Sequence, residues 1–118
     1  MTGPGIMLDM GARILVVDDD PPTRDVVAMV LADSGLAVDA VSSAAEAIGK
    51  LGAAAYDAVV TDYMMPEMSG LELVSVVRER WPWTRCVVLS GYDPPTGAHE
   101  RWLTKPIDVD ALLDAVGL

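Results

Sequence analysis

The chain has 118 residues, enough for one domain with a sizeable core and too few for several. With 52% hydrophobic and 22% charged residues it reads as globular rather than disordered. Eighteen acidic against eight basic residues leave a net charge of −10, which argues against a nucleic-acid surface, and no apolar run approaches the length of a membrane span.

The opening "MTGPGIMLDMGA" (1–12) lacks a basic start and a continuous apolar stretch, so it is not a secretory signal. It reads as a flexible leader ahead of one domain over residues 13–118. The single cysteine, Cys86, has no internal disulfide partner and reads as a small core residue, consistent with a cytoplasmic protein.

The first apolar run, "RILVV" (13–17), reads as a buried strand that runs straight into Asp18, Asp19 and Asp20. Pro21 and Pro22 suit the first turn of a helix that carries Val27, Val30, Leu31 and Ser34 on one face and stops at Gly35. "AVDAV" (37–41) alternates, as a strand at a sheet edge does. Ser43 to Glu46 is a capping-box pattern, opening a helix with Ala44, Ala47, Ile48 and Leu51 inward. "DAVVT" (57–61) is a third strand, and "MMPEMSG" (64–70) reads as the turn after it, with Gly70 permitting close approach. Ser69 and Glu72 make a second capping box for a helix with Leu73, Val74, Val77 and Trp81 on one side, ending before Pro82. Trp81 and Trp83 read as packing residues. "RCVVL" (85–89) and the weaker "RWLT" (101–104) complete five strands, and Val109, Leu112, Leu113 and Val116 pattern a last helix. His99 has no metal-ligand spacing to another His or Cys and reads as an exposed loop residue.

Strands alternating with helices predict an α/β fold with a parallel sheet covered on both faces. Such sheets bind ligands at the carboxyl ends of their strands. Asp18, Asp19 and Asp20 follow the first strand, Asp62 the third, Ser90 the fourth and Lys105 the fifth. Carboxylates that close together repel unless a hard divalent cation reconciles them, and Mg²⁺ typically takes one or two carboxylates beside phosphate oxygens. A phosphoryl group there would meet the cation, the Lys105 ammonium and the Ser90 hydroxyl. Asp62, between the acidic pair and the Ser/Lys side, is the natural nucleophile.

The motifs "ILVVDDDPPTR", "DAVVTDYMMPEMSGLEL", "VVLSGY" and "LTKPID" together resemble the receiver domain of two-component response regulators, of the chemotaxis-regulator kind. The resemblance spans about residues 13–117. It implies a doubly wound, flavodoxin-like five-stranded sheet of order 2-1-3-4-5, the order for which a chemotaxis regulator is a standard example. It also implies that Asp18 and Asp19 hold Mg²⁺ (or Mn²⁺), that Asp62 is the phosphoacceptor, and that the Met64 backbone carbonyl ligates the metal. Ser90 then matches the hydroxyl that follows the phosphoryl group. Lys105 matches the lysine before a cis Lys-Pro bond, and Trp102 the aromatic switch position. The implied partners are a sensor histidine kinase or histidine phosphotransfer protein and a downstream protein target, with no nucleic acid or membrane. The chain would be a monomer or weak dimer and not an enzyme, beyond taking phosphate from a donor and losing it again.

One departure stands out. Only fourteen residues separate Ser90 from Lys105. The family usually carries roughly seven more, about two helical turns at 1.5 Å per residue. With Asp93-Pro94-Pro95 and Gly97 present, the helix between strands 4 and 5 is expected to be short or absent. That segment is expected to be mobile without phosphate.

Two other functions compete. Asp18-x-Asp20 resembles the first motif of haloacid-dehalogenase-type Mg²⁺-dependent phosphohydrolases, with Asp18 as nucleophile, but Pro22 sits where that motif wants Thr or Val and no later acidic pair follows Lys105. A degenerate receiver used only for docking is the other. For Asp20 alone, a helix N-cap is as good a reading as a ligand.

Overall fold

Burial sorts the strands into central and edge positions. The computed structural model describes residues 12–95 and 101–117. Its elements run β1 (Arg13–Val17), α1 (Pro21–Asp33), β2 (Ala37–Val41), α2 (Ala44–Ala53), β3 (Ala58–Asp62), α3 (Gly70–Arg80), β4 (Arg85–Ser90), β5 (Arg101–Thr104) and α4 (Val109–Val116). All five strands pair in parallel in the order β2-β1-β3-β4-β5. Every residue of β3 is buried, whereas β2 and β5, at the two edges, are mostly half-exposed or exposed. The expected doubly wound order is the one found.

The period of two along a strand divides the core between the two faces. Ile14 and Val16 of β1, with Val60, Val87 and Leu89, pack against Val27 and Leu31 of α1 and Leu112 and Val116 of α4. Leu15 and Val17, with Val59, face Ala47 and Leu51 of α2 and Leu73 and Val77 of α3.

Local chemistry sets the helix boundaries. Asp20 caps α1, its side chain accepting from the Thr23 N–H, and the chain leaves α1 through Gly35 at φ +92°. Ser69 and Glu72 form the expected reciprocal capping box at α3. At α2 the box is only half made. Ser43 accepts from the Glu46 N–H, but the Glu46 carboxylate reaches past it to the N–H and hydroxyl of Ser42.

Other expectations shift by a residue or a face. Ser34 is not on the inner face of α1. It is the exposed C-cap, its hydroxyl donating to the Val30 carbonyl. Val109 starts α4 but is 45% exposed, and Ala115 takes the inward place instead. Asp57 precedes β3 rather than opening it, so Asp62 becomes the last strand residue. Ala12, assigned to the leader, is buried and its carbonyl accepts from the Ala37 N–H, while residues 1–11 lie outside the described residues. Residues 91–95 form no helix, in line with the short connection expected there. The rest of that connection, 96–100 with His99, lies outside the described residues, and with it most of the segment expected to be mobile.

Candidate functional site at the carboxyl edge of the sheet

The parallel register carries the ends of β1, β3, β4 and β5 to one edge. Val17 pairs with Thr61, Asp62 with Leu89 and Ser90 with Thr104. Asp18 follows β1, Asp62 and Ser90 end their strands, and Lys105 follows β5, so these four meet there. Asp18, Asp19 and Asp62 each offer a carboxylate oxygen within 4.8 Å of the others. Lys105 Nζ lies 2.9 Å from Asp62 Oδ1. The Lys105–Pro106 peptide is cis, as the family resemblance implied.

Asp18 is the most constrained member. It is 2% exposed, its Oδ1 accepts from the Asp20 N–H at 2.9 Å, and its Oδ2 is buried with no hydrogen-bond partner. Burial pushes its carboxyl above the usual carboxylate range. The Asp20 N–H pulls back, and the Asp62 charge pushes up again. Leaving such an oxygen unsatisfied costs about 1–3 kcal/mol. A hard cation beside Asp18, Asp19 and Asp62 supplies the missing partner, so these residues fit a divalent metal.

Asp20 does not join them. Its carboxylate is held by the hydroxyl of Thr23 at 2.5 Å and the Thr23 N–H at 3.2 Å, which lower its pKa. Lys105 is pulled down by burial, but the hydrogen bond and charge of Asp62 outweigh this and raise its pKa. It is a firm cation at neutral pH.

Ser90 is 2% exposed, and its Oγ accepts from the Tyr92 N–H at 3.0 Å. The Tyr92 carbonyl in turn accepts from the indole N–H of Trp102 at 2.9 Å. Trp102 also lies against Tyr63, ring centroids 5.2 Å apart and planes at 56°, so the two aromatics flank the end of β3. The Met64 side chain is 62% exposed in the loop after β3.

Three contributors escaped the sequence reading. Arg24 donates from Nη1 to the Asp18 carbonyl at 2.9 Å and ties the acidic loop to α1. Its place one turn into a helix that follows three aspartates was the available signal. Tyr63 and Tyr92 gave none. Gly70, by contrast, was read correctly as a close approach. A Cβ there would stand 2.4 Å from the Asp62 carbonyl oxygen and 3.1 Å from Tyr63 Cα. Its N–H donates to the Tyr63 carbonyl at 2.9 Å, pinning the loop beside Asp62.

Known proteins share this fold. The family model of the response regulator receiver domain matches residues 14–117. The transcriptional regulatory protein TcrA of Mycobacterium tuberculosis is 34% identical over 109 residues, covering 86% of this chain and 43% of TcrA. The chain thus spans less than half the length of that relative. Among solved structures, the chemotaxis protein CheY4 of Vibrio cholerae superposes with a TM-score of 0.79 at 32% identity, covering 88% of this chain and 94% of CheY4. The response regulator TrrA of Thermotoga maritima, solved in complex with Mg²⁺-BeF, gives 0.82 at 29% identity, covering 89% of this chain and 96% of TrrA. TrrA has also been solved in complex with the histidine kinase ThkA, with a TM-score of 0.79 at 29% identity, covering 89% and 95% of the two chains. No described helix is long and apolar enough to cross a membrane. From residue 14 to residue 117, this chain belongs to the receiver domain family of two-component response regulators.

Proposed function

We propose that this receiver domain accepts a phosphoryl group on Asp62 from a phosphohistidine donor and thereby changes the surface it offers a partner. The observation that carries this reading is Asp62, held by Lys105 at 2.9 Å and crowded by Asp18 and Asp19 within 4.8 Å. Lys105 engages Oδ1 and leaves Oδ2 as the attacking oxygen. Oδ2 forms the new O–P bond as the donor's P–N bond breaks, and the imidazole nitrogen keeps the electron pair and gains a proton. A divalent cation, Mg²⁺ or Mn²⁺, held by Asp18, Asp19, Asp62 and the Met64 backbone carbonyl, would supply charge neutralisation for the phosphoryl oxygens. Lys105 supplies the other fixed positive charge.

Ser90 carries the signal onward. Its Oγ accepts a hydrogen bond at present, so its own proton is available for a phosphoryl oxygen. Movement toward the phosphoryl group strains the link to Tyr92, and through the Tyr92 carbonyl it reaches Trp102. The connection after β4 then reorders, a local order change rather than the sliding of a preformed helix.

The complex of TrrA with a histidine kinase supports a kinase, or a histidine phosphotransfer protein, as donor here. A groove of about 380 Å³ between α1 and α4, with Val26, Val30, Ile107 and Val109 on its walls, lies beside Lys105 and suits an incoming helix. Val26 and Met29 on α1 are 59% and 60% exposed and extend that apolar surface. The domain would act as a switch in the cytoplasm, a monomer or weak dimer, rather than as an enzyme. The hydrolase alternative is less well supported. Its second aspartate, Asp20, is turned into the cap of α1, and Asp18 already gives one oxygen to the Asp20 N–H.

Phosphorylation by acetyl phosphate with and without Mg²⁺, followed by mass mapping, tests the proposal. Modification of Asp62 that needs the metal and vanishes in Asp62→Asn is expected. Modification of Asp18 would overturn the proposal in favour of hydrolase-type chemistry, and no modification would favour a docking role alone.

A further inference from the structure

Only Asp18, Asp19 and Asp20 link β1 to α1, and this short loop has to hold two carboxylates against a third. Most of its backbone groups find partners close by. The Asp18 N–H donates to the Val41 carbonyl at 3.1 Å and the Asp20 N–H to Asp18 Oδ1 at 2.9 Å, while the Asp20 carbonyl accepts from the Arg24 N–H at 2.9 Å. The Asp18 carbonyl is different. A tight turn or a helical turn would serve it from the N–H three or four residues on, and those residues are Pro21 and Pro22, which have none. The Arg24 guanidinium takes that place, its Nη1 donating to the Asp18 carbonyl at 2.9 Å.

Two prolines thus make the shape of the loop depend on a side chain. Arg24 grips it at both ends, through its own N–H at Asp20 and through its guanidinium at Asp18. Asp19 lies between the two grips. It is exposed, so its aim toward Asp18 and Asp62 follows from the backbone on either side of it.

Charge and geometry pull in opposite directions here. A guanidinium beside an acidic cluster repels a second cation, so by charge alone its removal would tighten the hold on a divalent metal. That repulsion is screened, because Arg24 is only half-buried. Geometry is less forgiving. Mg²⁺ demands near-octahedral ligands at about 2.0–2.1 Å, and a carboxylate aimed wrongly is lost to it. Groups that orient metal ligands from behind typically change affinity about 10–100-fold. Geometry is therefore the larger effect.

We propose that Arg24 is a positioning residue of the divalent-cation site. Its hydrogen bond to the Asp18 carbonyl aims Asp18 and Asp19 at Asp62, and cation affinity depends on that bond more than on the arginine's charge. The proposal rests on the reading of Asp18, Asp19 and Asp62 as metal ligands. Arg24 acts through Asp18 and has no part in phosphoryl transfer itself.

Calorimetric titration of Mg²⁺ into the whole chain, wild type beside Arg24→Met and Arg24→Lys, tests the assignment. Arg24→Met keeps the apolar stem and loses both the charge and the donors. It should bind Mg²⁺ at least about tenfold more weakly, although a positive charge has been removed. Arg24→Lys restores one donor to the carbonyl and should recover most of that loss. Urea midpoints of the metal-free variants separate lost affinity from lost fold. A measurement on the wild type covers the case in which Arg24→Met misfolds. Bond and cation stabilise each other reciprocally, so added Mg²⁺ should slow exchange of the Arg24 guanidinium protons with water several-fold. Equal or tighter Mg²⁺ binding by a folded Arg24→Met, or guanidinium exchange that ignores Mg²⁺ in a wild type that binds it, would overturn the role of Arg24 alone. A wild type that binds no Mg²⁺ would overturn the metal site and this proposal with it.

Discussion

At the carboxyl end of the sheet, carboxylates are crowded and one is left short of partners. At the amino end they are satisfied. Asp39 there accepts from the Tyr56 hydroxyl at 2.6 Å and from Arg13 Nη2 at 3.1 Å. Asp57 accepts from the Arg13 N–H at 2.7 Å. The Arg13 guanidinium lies 5.1 Å above the Tyr56 ring as well, so one arginine serves two elements of the edge. At the other end Asp18 keeps a buried oxygen without a partner, and Lys105 is the cation set against three carboxylates. The contrast separates a structural end, where each charge has a local answer, from a functional end held short of one until a ligand arrives.

The largest test of this contrast is Gly70→Ala. The added methyl would collide with the backbone of Asp62 and Tyr63 rather than with a flexible side chain. Relief requires the loop after β3 to move, at a cost of about 3 kcal/mol. Urea denaturation should show that loss, and the phosphorylation rate should fall with it because Asp62 is displaced. A variant with unchanged stability would mean that the loop is not pinned.

Tyr56→Phe should come next and act only at the amino end. A hydrogen bond to a charged group is worth about 1.5 kcal/mol where solvent has partial access. Phosphorylation should be unaffected. The Tyr56 hydroxyl first, and Arg13 after it, hold the Asp39 carboxyl below its ordinary value of 3.8 against the pull of burial. A lowered folded-state pKa means that this contribution is complete above the unfolded value and fades as pH falls through the folded one. The wild type should therefore lose its advantage over Tyr56→Phe below about pH 4. Tyr56 itself is pushed up to about 12 by burial and by Asp39, so it remains a neutral donor throughout that range.

Asp18→Asn reverses the sign. Burial raises the Asp18 carboxyl, so its charge opposes folding at neutral pH in the absence of a cation. Removing that charge should stabilise the metal-free protein by about 1 kcal/mol. Added Mg²⁺ should stabilise the wild type and have little effect on the variant. A variant less stable than wild type without metal would show that Asp18 is satisfied in a way its geometry does not reveal.

These residues also mark what was readable from sequence. The strand order was legible only through the family resemblance, whereas the meeting of Asp18, Asp19, Asp62, Ser90 and Lys105 was legible from the residues themselves. Parallel β/α connectivity brings all strand ends to one edge, whatever the details of packing. Caps were legible where the motif is closed on itself, as at Ser69 and Glu72. They were misread at Glu46, because Ser42 competes for the same carboxylate and local pattern does not rank the two. Asp20 could have been a ligand or a cap. Thr23, which decides it, contributes through a side-chain contact that spacing alone does not rank. The Arg13–Asp39–Tyr56 cluster was invisible for another reason. Its members come from three segments and meet only after β1 and β2 have paired.

The link from Ser90 through Tyr92 to Trp102 belongs to the same class, and it yields the smallest effect. Trp102→Phe keeps a ring against Tyr63 but removes the N–H that donates to the Tyr92 carbonyl. The bond is partly exposed, so its loss should cost only about 0.5 kcal/mol of global stability. Its local effect should be larger in proportion. Tyr92 is held on both sides, its N–H by Ser90 Oγ and its carbonyl by the indole. Freeing the carbonyl leaves Ser90 as the remaining hold, and the Tyr92 amide should exchange with solvent several-fold faster while amides of β3 do not change. The Ser90 hydroxyl would then move toward a phosphoryl group without dragging Trp102. Acceptance of phosphate should persist in Trp102→Phe, while the response of the β4–β5 connection to phosphate weakens. An unchanged Tyr92 exchange rate would show that the indole hydrogen bond does not hold this turn, and that the signal leaves Ser90 by another route.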